Sequence, residues 1–207
     1  MTEAPLSEDE INRRHAEKQA KRKAVRAKML ATKTEERGLV IVHTGTGKGK
    51  STAAFGLALR MLGRGKRVGV VQFIKGAWHT AERDALARFG DQLVWHTMGE
   101  GFTWETQDRA RDVAAAERAW AKACELIDDP SFAMIVLDEI NIALRYDYLK
   151  LDDVVATLAA RRPGLHVVVT GRNAKPEMIA AADLVTEMTL VKHHFAAGVK
   201  AQPGIEF

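Results

Sequence analysis

Cysteine is almost missing from this 207-residue chain: Cys124 stands alone. That excludes an intrachain disulfide framework and fits a reducing compartment. Long apolar runs are missing too; none approaches the roughly 18–20 residues that cross a bilayer. The N-terminus lacks the apolar stretch and small-residue cleavage site of a signal peptide, so a cytoplasmic protein without membrane contact is expected. Excess charge is also missing from most of the chain. The formal net charge is +4, but residues 12–33 carry nine bases against Glu17 alone, and residues 1–11 carry four acids. Those two stretches account for the whole net charge, so everything from residue 34 onward is formally neutral. No internal repeat and no low-complexity linker is present.

What remains is an ordinary globular composition, with 46% hydrophobic and 28% charged residues, long enough for one well-filled α/β core. Residues 1–10 read as disordered. Residues 11–31 are rich in strong helix formers but offer only a thin apolar face at Ile11, Val25, Met29 and Leu30, so this arm needs something to dock on. Two parts are therefore expected: a basic helical arm over residues 1–36 and a body over residues 37–207. In the body, short apolar β-branched runs alternate with helical periods. Strands are expected at 39–42, 68–74, 92–98, 133–137, 165–170 and 184–191. Helices are expected at 51–62, 80–89, 106–128, 151–161 and 176–182. The helix at 51–62 should bury Phe55, Ala58, Leu59 and Leu62; that at 106–128 shows a stripe at Val113, Ala116, Trp120, Cys124 and Ile127. Near-continuous apolar strands separated by helices predict a mostly parallel sheet of about six strands, covered on both faces.

The strongest local signal is Thr44-Gly45-Thr46-Gly47-Lys48-Gly49-Lys50-Ser51-Thr52, between an expected strand and an expected helix. This is the context of a phosphate-binding loop. Its glycines let backbone N–H groups converge on phosphate oxygens, and the following helix presents its positive end. Lys50 would reach the phosphates and the Ser51 hydroxyl would sit on Mg²⁺. The general pattern places a glycine five residues before Gly49, where this chain has Thr44; the spacing works only from Gly45, one residue shorter. A second signal is the run Met134–Leu137 ending in Asp138 and Glu139, since acids at such a strand end hold Mg²⁺ beside the loop. The fold expected is thus P-loop NTPase-like.

Further motifs follow expected strands: Val71-Gln72-Phe73-Ile74-Lys75-Gly76, Gly101-Phe102-Thr103-Trp104-Glu105, Val169-Thr170-Gly171-Arg172-Asn173, and Val191-Lys192-His193-His194 running on to Ile205. Taken with 44–52 and 137–141, they closely resemble the P-loop family of ATP:corrinoid adenosyltransferases, in order, from about Arg37 to Phe207. That family's phosphate loop shares the shortened spacing from Gly45. The resemblance implies transfer of the 5′-deoxyadenosyl group of ATP to the cobalt(I) centre of a corrinoid, with inorganic triphosphate released. The nucleophile then belongs to the corrinoid, and the protein supplies charge stabilisation and in-line placement of C5′. The resemblance further implies that Phe102 and Trp104 pack against the lower face of the corrinoid, easing reduction of cobalt(II), and that ATP lies in the opposite sense to most P-loop enzymes. It implies an electron-donating reductase as partner, and a homodimer in which the N-terminal helix caps the site.

Lys75 and Arg172 end expected strands and are candidates for phosphate or corrinoid contacts, with a solvated loop charge the plainer reading. Cys124, Trp78, Trp95 and Trp120 read as packing residues. His193 and His194 are adjacent, should point opposite ways in extended chain, and lack a third ligand at metal spacing. Two other functions fit parts of the sequence. A P-loop small-molecule kinase would release ADP. A nucleic-acid-binding ATPase would use the basic arm, which has no aromatics for stacking, so no nucleic-acid partner is expected.

Overall fold

The computed structural model describes residues 7–74, 80–98 and 108–205. It divides into two compact units, Met1–Glu36 and Arg37–Phe207. Among the described residues the first holds one helix, α1 (Glu8–Ala31), with no buried residue. It starts earlier than its apolar pattern suggests, because Ser7 caps it by accepting a hydrogen bond from the Glu10 N–H and Glu8, Asp9 and Glu10 crowd its positive end.

The second unit contains β1 (Val40–Thr44), α2 (Lys50–Leu62), β2 (Arg67–Gln72), α3 (Ala81–Leu86), β3 (Leu93–Thr97), α4 (Arg109–Asp128) and β4 (Phe132–Asp138). It continues with α5 (Ile140–Arg145), α6 (Leu151–Ala160), β5 (His166–Thr170), α7 (Pro176–Ala181) and β6 (Leu184–Glu187), with a 3₁₀ turn at Ala87–Gln92 and another at His194–Ala197. The six strands form one sheet in the order β3-β2-β4-β5-β1-β6, and every pairing is parallel. Alternate residues of the central strands serve opposite faces. Ile41, Val68, Val70, Met134, Val136 and Val168 pack with Ala54, Phe55, Ala58 and Leu62 of α2. Val42, Val71, Ile135, Leu137, Val167 and Val169 pack on the other side with α4, α5, α6 and α7. Both faces are covered, which is why these strands read as unbroken apolar runs.

Two helix faces differ from the periodic reading. Leu59 is exposed, and α2 buries Lys50 and Ala54 together with Phe55, Ala58 and Leu62. In α4 the buried face is Ala115, Ala116, Ala119, Ala123, Leu126 and Ile127. Its alanines bring the helix close to the sheet, and the larger Trp120 and Cys124 are moved to its flank, where Cys124 is only half-buried and burial still raises its thiol pKa.

The amino end of the sheet is tied by charge. Arg161 donates to the carbonyls of Leu158, Leu165 and Gly38, and Arg162 donates to those of Ile127 and Phe132. Asp183, just before β6, accepts from the Val40 N–H at 2.9 Å and from Arg37 at 2.5 Å. The Val40 amide first, and then Arg37, hold the Asp183 carboxyl below its ordinary pKa. A depressed folded-state pKa gives stability that is present above the unfolded value, about 3.9, and is lost as pH falls through the folded one. Asp183→Asn should therefore cost about 2 kcal/mol at pH 7. The gap from wild type should narrow progressively in urea unfolding as pH falls below about 4; a gap that stays equal over that range would exclude the charge as its source.

Candidate functional site at the carboxyl edge of the sheet

The chain leaves β1 through a loop built on two left-handed glycines, Gly45 (φ 97°) and Gly49 (φ 103°), and enters α2 at Lys50. The loop lies against the segment that follows β6. The Met188 N–H donates to the Thr44 carbonyl at 2.9 Å, and the Gly47 N–H donates to the Met188 carbonyl at 2.6 Å. A β-carbon at position 45 would lie 2.4 Å from the Met188 carbonyl oxygen, and one at position 47 would lie 2.6 Å from that of Thr189. Glycine is thus required at both positions by the chain's own backbone, before any ligand arrives. This contact also explains why β6 ends at Glu187 and not near Val191: from Met188 the backbone is engaged with the loop.

A cavity of about 580 Å³ opens over this loop. Gly47 to Thr52 form one wall; Glu139, Arg145 and Tyr146 face it from α5 and its two ends and Arg172 from the turn after β5, with Ile74, Glu82, Ile142 and Ile205 completing the lining. Gly45 is buried beneath the loop and Thr46 is exposed; neither lines the cavity. Lys75, Phe102 and Trp104 lie outside the described residues.

Lys50 is buried, and its Nζ donates to the Gly47 carbonyl at 2.6 Å. Burial, reinforced by Arg172 and Lys48, pushes its pKa below the ordinary lysine value, while Glu139 pulls it back up. A cation already made costly by desolvation gains most when an anion enters. Arg172 is carried between Gly171 (φ 130°) and Asn173 (φ 55°), in a turn fastened to the loop where Thr44 Oγ1 accepts from the Ala174 N–H at 2.9 Å.

The two acids after β4 part company. Asp138 is fully buried and accepts hydrogen bonds from Thr170 at 2.8 Å and Gln72 at 3.0 Å. Glu139 adopts a left-handed conformation (φ 64°, ψ 18°) and lines the cavity. The short helix α5, absent from the periodic reading, starts immediately after it. Its signal was the spacing Glu139, Ile142, Tyr146, which sets one face of a helix toward the cavity.

Another opening, of about 770 Å³, lies between α4 and the start of α6. There Lys175 pairs with Asp147 at 2.5 Å, Arg109 donates to the Asp147 carbonyl, and Tyr148 donates to Asp112 nearby. It has no counterpart of the glycine-rich wall. Among the described residues no three His, Cys, Asp or Glu side chains are grouped to hold a metal ion. His193 and His194 do not diverge as extended chain would require: their rings stack 4.7 Å apart where the second 3₁₀ turn begins.

A shortened phosphate loop, an acid at the end of β4 and a cation-lined cavity coincide at one sheet edge. Residues 36–207 match the family described as ATP:corrinoid adenosyltransferase BtuR/CobO/CobP. The chain belongs to this family. Residues 2–30 also match the region described as cob(I)alamin adenosyltransferase N terminal. A corrinoid adenosyltransferase from Sinorhizobium sp is 59% identical over 99% of this chain and 96% of its own length. One from Pseudomonas aeruginosa is 55% identical over the whole of both chains. The corrinoid adenosyltransferase CobA of Salmonella typhimurium is 48% identical over 86% of this chain and 90% of its own length. Among the described residues, no helix is long and apolar enough to cross a membrane.

Proposed function

We propose that this adenosyltransferase moves the 5′-deoxyadenosyl group of ATP to the cobalt(I) centre of a corrinoid. The electron pair of cobalt(I) forms the cobalt–carbon bond, cobalt becomes formally cobalt(III), and the C5′–oxygen pair departs with inorganic triphosphate. The observation that carries the reading is the convergence of Lys50, Ser51, Glu139 and Arg172 on one cavity at the sheet's carboxyl edge, in a chain of this family.

Each residue then has a task. Lys50 exchanges the Gly47 carbonyl for phosphate oxygens, and the amides of Lys48, Gly49 and Lys50 at the start of α2 face the same anion. Arg172 neutralises triphosphate charge from the opposite wall. Ser51 and Glu139 offer oxygen donors, which suit Mg²⁺, an ion commonly held by one or two carboxylates plus substrate phosphates; they fit the ion without a full protein cage. Mg²⁺ would neutralise the leaving triphosphate. Asp138, behind Glu139, supports it from within the sheet. Phe102 and Trp104, between β3 and α4, are assigned to the lower face of the corrinoid, and Lys75 to its side chains or the phosphates. Cobalt(II) must be reduced before attack, so an electron-donating reductase is the implied partner. The lone cysteine supports a cytoplasmic setting.

We also assign a homodimer. Helix α1 carries a thin apolar face at Val25, Met29 and Leu30, and a second copy would give that face a partner. Sedimentation equilibrium at micromolar concentration should report the two-chain mass, and a monomer there would remove the assignment.

Product analysis separates this function from a kinase. Cob(I)alamin, ATP and Mg²⁺ should give a light-sensitive alkyl-cobalamin and triphosphate; ADP with a phosphorylated acceptor would overturn it. Lys50→Ala should lower kcat/KM at least 100-fold, on the order of 3 kcal/mol of lost stabilisation. Phe102→Ala should slow turnover of cob(II)alamin with a weak reductant far more than turnover of chemically pre-reduced cob(I)alamin. Equal losses on both substrates would remove the aromatic role.

A further inference from the structure

One polar residue from each strand occupies the last layer of the sheet on the side of α2, beyond layers that are apolar on that face. Thr97 is in register with Gln72, Gln72 with Asp138, and Thr170 with His43, which is in turn level with Thr186. Gln72, Asp138 and Thr170 are all within 1% of complete burial. Burying polar groups in the middle of a sheet is unfavourable unless each is satisfied; here hydrogen bonds run in a chain through Gln72, Asp138 and Thr170, whereas the buried His43 has no partner on either ring nitrogen among the described residues. Gln72 Oε1 accepts from Trp95 Nε1 at 3.0 Å and from Thr97 Oγ1 at 3.1 Å. Two donors on one atom fix which way the amide faces, so Gln72 Nε2 is the atom that donates to Asp138 Oδ2. Asp138 Oδ1 accepts from Thr170 Oγ1, and that same hydroxyl accepts from the backbone N–H of Glu139 at 2.9 Å. A threonine hydroxyl has one proton. Because the Asp138 carboxylate can only accept, that proton is committed to it, and the oxygen lone pair is left aimed at the Glu139 amide.

The chain ends on a strained residue. Glu139 is a non-glycine residue in the left-handed region, a conformation that persists only where its surroundings over-determine it. It is also the acid that lines the cavity beside Lys50.

We infer that Gln72 and Thr170 are positioning residues. Through Asp138 and the Glu139 amide, they hold the Glu139 carboxylate where it meets Mg²⁺ on the triphosphate. Trp95 and Thr97, on β3 two strands from β4, orient Gln72. The inference rests on the reading of Glu139 as the metal-facing acid of an ATP site. It reaches residues that touch neither nucleotide nor metal.

The test is binding, not turnover. ATP affinity of the full-length protein is measured by calorimetry with Mg²⁺ and again with EDTA, without corrinoid. Thr170→Val keeps the shape and removes the hydroxyl. It should cut the Mg²⁺ enhancement of ATP affinity about tenfold, the scale of losses when a group supporting a metal ligand is removed. ATP affinity in EDTA should stay within about twofold, and Thr170→Ser should restore the wild-type enhancement. An undiminished enhancement in Thr170→Val, an equal loss with and without Mg²⁺, or no rescue by serine would each overturn the inference. Should the valine variant fail to fold, Gln72→Met decides: it removes the other clamp on Asp138, and the same selective loss is expected, whereas an unchanged Mg²⁺ effect would overturn it. A wild type without Mg²⁺ enhancement would overturn it at the root. Failure of the adenosyl-transfer reading would show separately, as absent alkyl-cobalamin from a wild type whose Mg²⁺ enhancement is intact.

Discussion

Six strands that all run the same way must deliver their carboxyl ends to one edge of the sheet, and the rest of the molecule follows from that constraint. The phosphate loop after β1, the acids after β4 and the Arg172 turn after β5 come from distant parts of the sequence, yet they share an edge because the pairings are parallel. β5 lies between β1 and β4, so the loop and the acids are not neighbours in the sheet; they are bridged by whatever β5 presents at its end. That residue is Thr170, whose hydroxyl bonds to Asp138 and receives the Glu139 amide, while the Gly171 N–H that follows donates to the His43 carbonyl on β1 at 3.2 Å. The middle strand therefore sets the distance between Lys50 and Glu139.

The two ends of the sheet use charge differently. At the amino end, Arg161, Arg162, Arg37 and Asp183 satisfy carbonyls, an amide and one another, and the charges are consumed in holding strands. At the carboxyl end, Lys48, Lys50, Arg145 and Arg172 line an open volume against Glu82 and Glu139. A desolvated Lys50 with further cations around an open volume raises the cost of the empty site, and an entering polyanion relieves it. The phosphate loop is held in this demanding shape by backbone, not by ligand: Met188 and Thr189 press on Gly45 and Gly47 so closely that no side chain fits.

Much of this was legible in the chain. The six strands were visible because double-sided burial gives continuous β-branched runs, and the loop was visible because Gly-Lys-Ser after such a run has few other uses. The phase of α4 was not, because alanine carries little hydropathy weight: Val113, Trp120 and Cys124 dominate the apparent stripe, while close helix–sheet contact prefers Ala115, Ala119 and Ala123. Helix α5 was hidden by its six-residue length and by a left-handed start at Glu139, which no side-chain pattern announces. The separate fates of Asp138 and Glu139 were equally hidden, since adjacent acids look alike until one knows that even-numbered residues of β4 point toward α2. The polar row was hidden for a related reason. Gln72, Thr97 and Thr170 each look like an unremarkable strand end, and only register makes them one network.

Chemistry carried by the substrate makes such a network worth its burial. When a corrinoid supplies the nucleophile and ATP supplies the leaving group, the protein's contribution is where charges sit and how little they move. A carboxylate on a flexible loop would follow the metal wherever the phosphates drifted, and the departing oxygen would lose alignment with C5′. An unsatisfied Asp138 in the sheet would cost on the order of several kcal/mol. Donors from Gln72 and Thr170 offset that cost, and a buried acid fixed by two strands makes a stiffer support than any surface contact. The same reasoning accounts for a left-handed Glu139: the strain is tolerated because relaxing it would strand the Thr170 lone pair and withdraw the one acid that follows β4 into the cavity.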